Sequence, residues 1–162
     1  MEESCILHKT TYEDLPIEEQ ELLDKAHEAA LVAFAPYSDF RVGAAARLSN
    51  GKIVVGSNQE NIAYPSGLCG ERVTMFAAGA QYPNEHVVAI ATVSPSPIAD
   101  SQGFAPCGSC RQVVLESELR QSKPIKMLFQ VRNEHVFISD SAQNLMPFSF
   151  RVKDDGLKRN RS

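Results

Sequence analysis

The sequence predicts an α/β fold in which helices cover both faces of a mixed five-stranded sheet, and three observations lead to this prediction. Apolar segments with the period of a strand alternate with segments that have the period of a helix. Asn50-Gly51 lies between two apolar segments, as in a tight hairpin. Near the end of the chain only Asn133-Glu134 separates two strands, a gap too short for a crossover, so these last two strands are predicted to be antiparallel.

The first predicted helix follows Pro16, has acidic residues in its first turn and stops before Pro36. A polar loop and a loop rich in Ser and Pro separate the later elements. The length fits one domain of residues 1–162, with a core of about 17–150, an N-terminal extension 1–16 and a C-terminal tail 151–162. The predicted elements are helix 17–35, strands 42–48 and 53–57, helix 69–80, strand 87–93, helix 107–119, and strands 125–131 and 135–139.

Composition narrows the class of protein. A net charge of -4 argues against a surface that binds polynucleotides, because such surfaces are usually basic. No apolar run approaches the ~18 residues needed to span a bilayer, and Met1-Glu2-Glu3 does not resemble a secretory signal. We therefore expect a cytoplasmic protein with no nucleic-acid or membrane partner. In that reducing compartment, cysteines are more often ligands or catalysts than disulfides.

Three of the four cysteines lie in informative positions. Cys69 precedes one predicted helix, and Cys107 and Cys110 form a C-x-x-C pair at the start of another. Such a pair alone is either a zinc clamp or a redox dithiol. The third cysteine favours zinc, and three protein ligands leave a coordination position for water, as in a catalytic site. We expect Cys5 to be a lone reduced thiol outside this site.

Glu71 lies two residues after Cys69. Zinc deaminases combine H-x-E, or a cysteine in place of the histidine, with a downstream P-C-x-x-C, and the glutamate carries protons rather than binding the metal. Pro106-Cys107-Gly108-Ser109-Cys110 completes this pattern. A first-turn glutamate can also simply complement a helix dipole, but the combination with three cysteines favours catalysis.

Five segments of the chain carry a recognisable combination of residues. They are Ala35-Pro36-Tyr37-Ser38, Val42-Gly43-Ala44-Ala45, Asn58-Gln59-Glu60-Asn61, Cys69-Gly70-Glu71-Arg72 and Pro106-Cys107-Gly108-Ser109-Cys110-Arg111-Gln112. With these segments the chain resembles the cytidine deaminase family over about residues 20–150. The metal motif alone indicates only the deaminase superfamily, whereas Asn-x-Glu-Asn at 58–61 is specific to the nucleoside branch. The resemblance implies a three-layer fold, a Zn²⁺ cofactor, and hydrolytic deamination of cytidine or deoxycytidine.

The resemblance also assigns roles around the metal. Asn58 and Glu60 resemble the pair that hydrogen-bonds the sugar 3′-hydroxyl, and Phe40 resembles the aromatic wall beside the base. The carbonyl of Gly70, where the family more commonly has alanine, is expected to accept from the exocyclic amine. Three thiolates place excess negative charge on the site, and Arg72 is expected to offset it by donating hydrogen bonds to them.

Two further aromatic residues resemble those that reach a neighbouring subunit's site, namely Tyr64 and Phe150, with Phe148 as a rival. The small-chain branch of the family is typically a homotetramer, so a homotetramer is expected. The loop 94–104 is long for the family and the tail is extended, which leaves room for a different nucleoside.

Three alternatives remain at this point. The substrate could be a modified or antibiotic cytosine nucleoside, since it would use the same zinc chemistry. A polynucleotide deaminase is disfavoured by the acidic balance and by the predicted antiparallel last strands. A structural zinc protein would need a closed four-ligand site and has no use for Glu71.

Overall fold

A computed structural model describes residues 4–100 and 102–150 of the 162-residue chain. Within these ranges, no helix has the length and apolar character required to cross a membrane. Short 3₁₀ helices occur at Tyr64–Ser66 and Gln143–Leu145. The main elements are β1 (His8–Thr10), α1 (Ile17–Leu31), β2 (Gly43–Leu48), β3 (Ile53–Ser57), α2 (Gly70–Gln81), β4 (Val87–Ser94), α3 (Gly108–Gln121), β5 (Lys126–Val131) and β6 (Val136–Ser139).

The strands form one mixed sheet in the order β1-β6-β5-β4-β2-β3. β4 and β5 are parallel and connected through α3, whereas the other neighbouring pairs are antiparallel. The last two strands are therefore antiparallel, as the short connection at Asn133-Glu134 predicts. Gly51 adopts a positive φ of 84° in the β2–β3 hairpin, a conformation that glycine reaches without steric cost.

The prediction of five strands is wrong by one, because β1 adds a sixth at the edge of the sheet. His8 pairs with Ile138 and Thr10 with Val136, so this strand lies in the segment predicted to be an extension outside the core. A strand of three largely exposed residues has too few positions to show an alternating pattern. The segment is a strand because its backbone pairs with that of β6.

Helices cover both faces of the sheet, which confirms the α/β class. Successive side chains of a strand point to opposite faces, so Ala45 packs under α1 while Ala44 and Ala46 pack under α2 and α3. The backbone of α1 touches β2 directly: a Cβ on Gly43 would lie 2.0 Å from the carbonyl oxygen of Ala26. Small residues in β2 therefore permit the close approach of this helix.

The sheet brings two helix starts together at one edge. Gly43, the first residue of β2, pairs with Ser57 on one side and Val93 on the other. The carboxyl ends of β3 and β4 consequently lie at the same edge of the sheet, on either side of the start of β2. α2 and α3 follow these two strands after loops, and their N-caps are Cys69 and Cys107.

Candidate metal centre and active site

Three cysteine sulfurs converge between the starts of α2 and α3. The Sγ atoms of Cys69, Cys107 and Cys110 all lie within 4.8 Å of one another. Cys69 Sγ is 4.0 Å from Cys107 Sγ, which is 3.5 Å from Cys110 Sγ. Among the residues that the structure describes, no further histidine, cysteine or carboxylate belongs to this cluster.

These distances fit a tetrahedral zinc site. Zinc–sulfur bonds of ~2.3 Å at tetrahedral angles place pairs of thiolates ~3.8 Å apart. The two spacings of 4.0 and 3.5 Å bracket that value, and three donors leave one coordination position for solvent or substrate. The cluster matches the zinc cofactor predicted from the sequence.

Hydrogen bonds within the cluster shift the pKa values of two of its thiols in opposite directions. Hydrogen bonds from Cys110 and Arg72 lower the pKa of Cys69 to about 5. The pKa of Cys110 is raised, first by its hydrogen bond to Cys69 and then by its burial and by the nearby charge of Glu71. Zinc binds thiolates, so metal binding here releases protons from the remaining thiols.

Arg72 occupies the position expected of a residue that supports the ligands. Its Nη2 lies 3.7 Å from Cys69 Sγ, a hydrogen bond of the length usual for sulfur. Its Nε is buried without a hydrogen-bond partner in the described part of the chain. The guanidinium therefore offers a positive charge beside the thiolates that opposes their combined negative charge.

Arg72→Ala is expected to speed zinc loss to a chromogenic chelator by about 10–100-fold and to lower turnover, because the thiolates lose their cationic neighbour. The fold is expected to survive, since Arg72 is only half-buried. Arg120→Ala, in the exposed last turn of α3, serves as the matched control. Unchanged zinc retention and turnover in Arg72→Ala would contradict the role.

Glu71 lies in the first turn of α2, with 5% of its surface exposed. Burial raises the pKa of Glu71 to about 7, and the neighbouring charge of Cys69 adds to this effect. A carboxyl group with that pKa can both accept and donate a proton near neutral pH. Its burial in a cavity shared with Cys69 and Cys107 distinguishes it from an exposed acid that only complements a helix dipole.

Two residues of the sulfur cluster, Cys69 and Cys107, line a cavity of about 400 Å³ together with Glu71. Phe40, Asn58 and Glu60 line the same cavity, as their predicted contact with substrate requires. Glu71 lies in the buried part, whereas Ser38 and Asp100 are exposed at the rim. The complete lining is Ser38, Phe40, Val42, Asn58, Glu60, Cys69, Glu71, Asp100, Gly103, Phe104, Ala105 and Cys107.

Asn58 and Glu60 also hold the segment that carries Phe40. Asn58 accepts from the backbone N–H of Val42 and donates to the carbonyl of Phe40, both at 2.8 Å. Glu60 accepts from the backbone N–H of Tyr37 at 2.9 Å and from the hydroxyl of Ser38. An amide keeps one more donor and one more acceptor site, and a carboxylate has about four acceptor sites, so capacity for a substrate hydroxyl remains.

The carbonyl oxygen of Gly70 accepts a hydrogen bond within α2. Gly70 is buried, and this oxygen accepts from the hydroxyl of Thr74 at 2.9 Å. A carbonyl in the first turn of a helix points along the axis toward the following turn. A carbonyl oxygen has two lone pairs, so the predicted contact with the exocyclic amine of a base would use the second one.

Tyr64 and Phe150 lie apart from the metal cavity. Tyr64 is 74% exposed and lines an adjoining cavity with Tyr37 and Arg72, and its ring centroid is 6.0 Å from that of Tyr37. Phe150 and its rival Phe148 are 78% and 86% exposed. Neither residue is among the described residues that line the metal cavity of its own chain. That they reach a neighbouring subunit's site stays a prediction.

Several cavity residues were missed from the sequence, and they belong to two segments. Ser38 and Val42 flank Phe40, and the contact of this segment with residues 58–60 exists only in the fold. Gly103, Phe104 and Ala105 form the wall just before Pro106-Cys107. Their position directly before a ligand is the signal that could have identified them.

Comparison with known proteins identifies relatives over most of the chain. Residues 16–123 match the family model described as cytidine and deoxycytidylate deaminase zinc-binding region. The cytidine deaminase of Halalkalibacterium halodurans is 33% identical over 138 residues, which cover 85% of this chain and 98% of that protein.

Solved structures of cytidine deaminases are similar to this chain over most of its length. The cytidine deaminase of Burkholderia pseudomallei has a TM-score of 0.69 at 35% identity, and the match covers 81% of this chain and 98% of that one. The cytidine deaminase of Mycobacterium tuberculosis has a TM-score of 0.63 at 30% identity, with coverage of 85% and 100%. By sequence and by fold, the chain belongs to the family of cytidine and deoxycytidylate deaminases.

Proposed function

We propose that the protein catalyses the zinc-dependent hydrolytic deamination of cytidine and deoxycytidine, which yields uridine or deoxyuridine and ammonia. One observation carries this proposal. The buried carboxyl group of Glu71 lines the same cavity as Cys69 and Cys107 of the sulfur cluster, so a metal site and a proton carrier can act on one substrate atom. Relatives named cytidine deaminase over nearly their whole length support the choice of substrate.

The chemistry divides between the metal and the chain. When bound, Zn²⁺ supplies a Lewis acid that lowers the pKa of water to about 7. Glu71 takes a proton from the attacking water and transfers it to the ring nitrogen, while oxygen bonds to C4 and the double bond between C4 and the ring nitrogen becomes single. Glu71 then moves the proton of the new C4 hydroxyl to the exocyclic amine. The bond from C4 to the amine nitrogen breaks as the C4 carbonyl forms, and ammonia leaves. Positioned proton transfer of this kind contributes ~10²–10⁴-fold.

Phe40, Asn58 and Glu60 orient the nucleoside in this proposal. Phe40 packs beside the base, while Asn58 and Glu60 hydrogen-bond the 3′-hydroxyl with the donor and acceptor sites that the segment 37–42 leaves free. A ligand that lacks the sugar leaves these polar groups without a partner, which is costly. Free cytosine is therefore expected to be a poor substrate.

We further propose that the protein is a homotetramer and acts in the cytoplasm. The exposed aromatic side chains Tyr64, Phe148 and Phe150 support subunit contacts, because apolar surface of this kind is often buried in interfaces. Tyr64 and Phe150 would then complete a neighbouring site. A reducing compartment keeps the cluster thiols available as ligands.

An absorbance assay with cytidine tests the function. Purified protein is expected to contain about one zinc per chain, to consume cytidine and deoxycytidine, and to leave free cytosine nearly unchanged. Light scattering on the same preparation is expected to give the mass of four chains. Deamination only of a modified cytosine nucleoside would redirect the substrate, and bound zinc without deamination would indicate a structural metal instead.

A further inference from the structure

The active-site cavity carries negative charge at its rim and has no cationic side chain among its described lining residues. Besides the buried Glu71, the lining contains the carboxylates of Glu60 and Asp100. No lysine or arginine is part of this lining in the described ranges. The family description covers both cytidine and deoxycytidylate deaminases, so a nucleoside and its 5′-phosphate are the two substrate classes to be distinguished.

Glu60 is held in its ionised form. The hydroxyl of Ser38 and the backbone N–H of Tyr37 donate to its carboxylate and lower the pKa of Glu60. The Glu60 carboxylate is therefore charged at neutral pH. It lies in the cavity wall to which Ser38, Phe40 and Asn58 also contribute.

Asp100 lies at the rim of the same cavity, on the segment that also contributes Gly103 and Phe104. One carboxylate oxygen, Oδ1, accepts from the backbone N–H of Gln102 at 2.9 Å and so fixes the turn. The other oxygen, Oδ2, lies near Gly103, because a Cβ added to Gly103 would be 3.3 Å from this oxygen. The turn thus holds the Asp100 charge in place at the cavity.

The position of the reacting carbon determines which end of a substrate meets these charges. C4 of the base must lie between the sulfur cluster and Glu71, and Glu71 and Cys110 are the buried residues of this group. The sugar and its 5′ substituent then extend toward the exposed rim, where Ser38 and Asp100 lie. A 5′-phosphate carries between about one and a half and two negative charges at pH 7, and the described lining offers it no cation.

We propose that Asp100 is a specificity-determining residue whose carboxylate, together with that of Glu60, excludes substrates that carry a 5′-phosphate. The inference rests on the proposed deamination of cytosine nucleosides and refines its substrate class to the uncharged nucleoside. Like charges brought together in a cavity repel and act against the wrong ligand, whereas a neutral 5′-hydroxyl meets no such repulsion.

The test compares kcat/KM for CMP with kcat/KM for cytidine in the full-length zinc-bound protein. Asp100→Asn removes the charge and keeps a side-chain oxygen for the N–H of Gln102. The CMP-to-cytidine ratio is expected to rise about tenfold, the effect of one carboxylate on a dianion at several ångströms in a solvated site. Asp140→Asn, which neutralises an exposed carboxylate that pairs with His8, is the matched control and is expected to leave the ratio unchanged.

A measurement on the unmodified protein gives a second test. Raising the ionic strength from about 0.01 M to about 1 M shortens the screening length from ~30 to ~3 Å, so the ratio is expected to rise with salt. An unchanged ratio in Asp100→Asn, or an equal rise in Asp140→Asn, overturns the role of Asp100. A protein that does not deaminate cytidine at all contradicts the proposed function instead, so the two failures are distinguishable.

Discussion

Glu71→Gln is expected to lower kcat for cytidine by about 10²–10⁴-fold while zinc content and nucleoside affinity stay close to those of the unmodified protein. Glutamine has nearly the same shape as glutamate but cannot accept and return a proton at neutral pH. The cavity and the sulfur cluster remain in place. Absorbance assays give kcat, metal analysis gives zinc content, and calorimetry gives the nucleoside affinity. A near-normal rate would remove Glu71 from the mechanism.

Glu118→Gln is the matched control, because Glu118 is the other buried glutamate of the described chain. Its Oε2 accepts from the backbone N–H groups of Ile125 and Ala142 at 2.8 and 2.7 Å, and its Oε1 from that of Gln143 at 3.0 Å. An amide at this position turns a donor toward backbone donors, so a loss of ~1–3 kcal/mol in the free energy of unfolding is expected. Its kcat is expected to change little, since it joins α3 to β5 and the 3₁₀ helix rather than lining the metal cavity.

Cys110→Ala is expected to abolish zinc binding and to lower activity by more than about 100-fold, because even residues that only support a ligand contribute 10–100-fold. The Cys110 side chain is fully buried, 3.5 Å from Cys107 Sγ, so no other described thiol can replace it. Metal analysis after dialysis against a chelator measures the first effect and the cytidine assay the second.

Thermal unfolding of this variant provides a further readout. Zinc stabilises the folded chain by binding it in preference to the unfolded chain, so a chelator is expected to lower the Tm of the unmodified protein. It is expected to leave the Tm of Cys110→Ala unchanged. Cys5→Ala, which removes an exposed thiol outside the cluster, is the control and is expected to behave like the unmodified protein. Full zinc retention in Cys110→Ala would contradict the proposed ligand set.

Local sequence patterns predicted the helices and five strands with small errors at their ends. The first helix was predicted to reach residue 35, but it ends at Leu31. The prediction was too long because the apolar residues Ala33 and Ala35 follow the helix in sequence without belonging to it. The hairpin at Gly51 and the antiparallel last strands were correct. These features depend on residues close together in the chain, and a single sequence reports such interactions well.

Contacts between residues far apart in the chain were harder to predict from the sequence. β1 is a strand only because β6 lies beside it. Asn58 is 18 positions from Phe40 and 16 positions from Val42, and nothing at position 58 alone indicates which backbone groups its side chain contacts. The orientation of the Gly70 carbonyl likewise follows from the helix that begins there.

The sequence by itself determined the chemistry: three cysteines and a glutamate at this spacing predict a catalytic zinc, since few other roles need these donor types together. The tertiary structure decided what surrounds that chemistry. Gly43 pairs with both Ser57 and Val93, and this pairing brings two helix starts, and thus three sulfurs, to one edge of the sheet. The charge of Asp100 reaches the same cavity only through the folded path of its loop. Distances between residues far apart in the chain are set by packing, which no local pattern records.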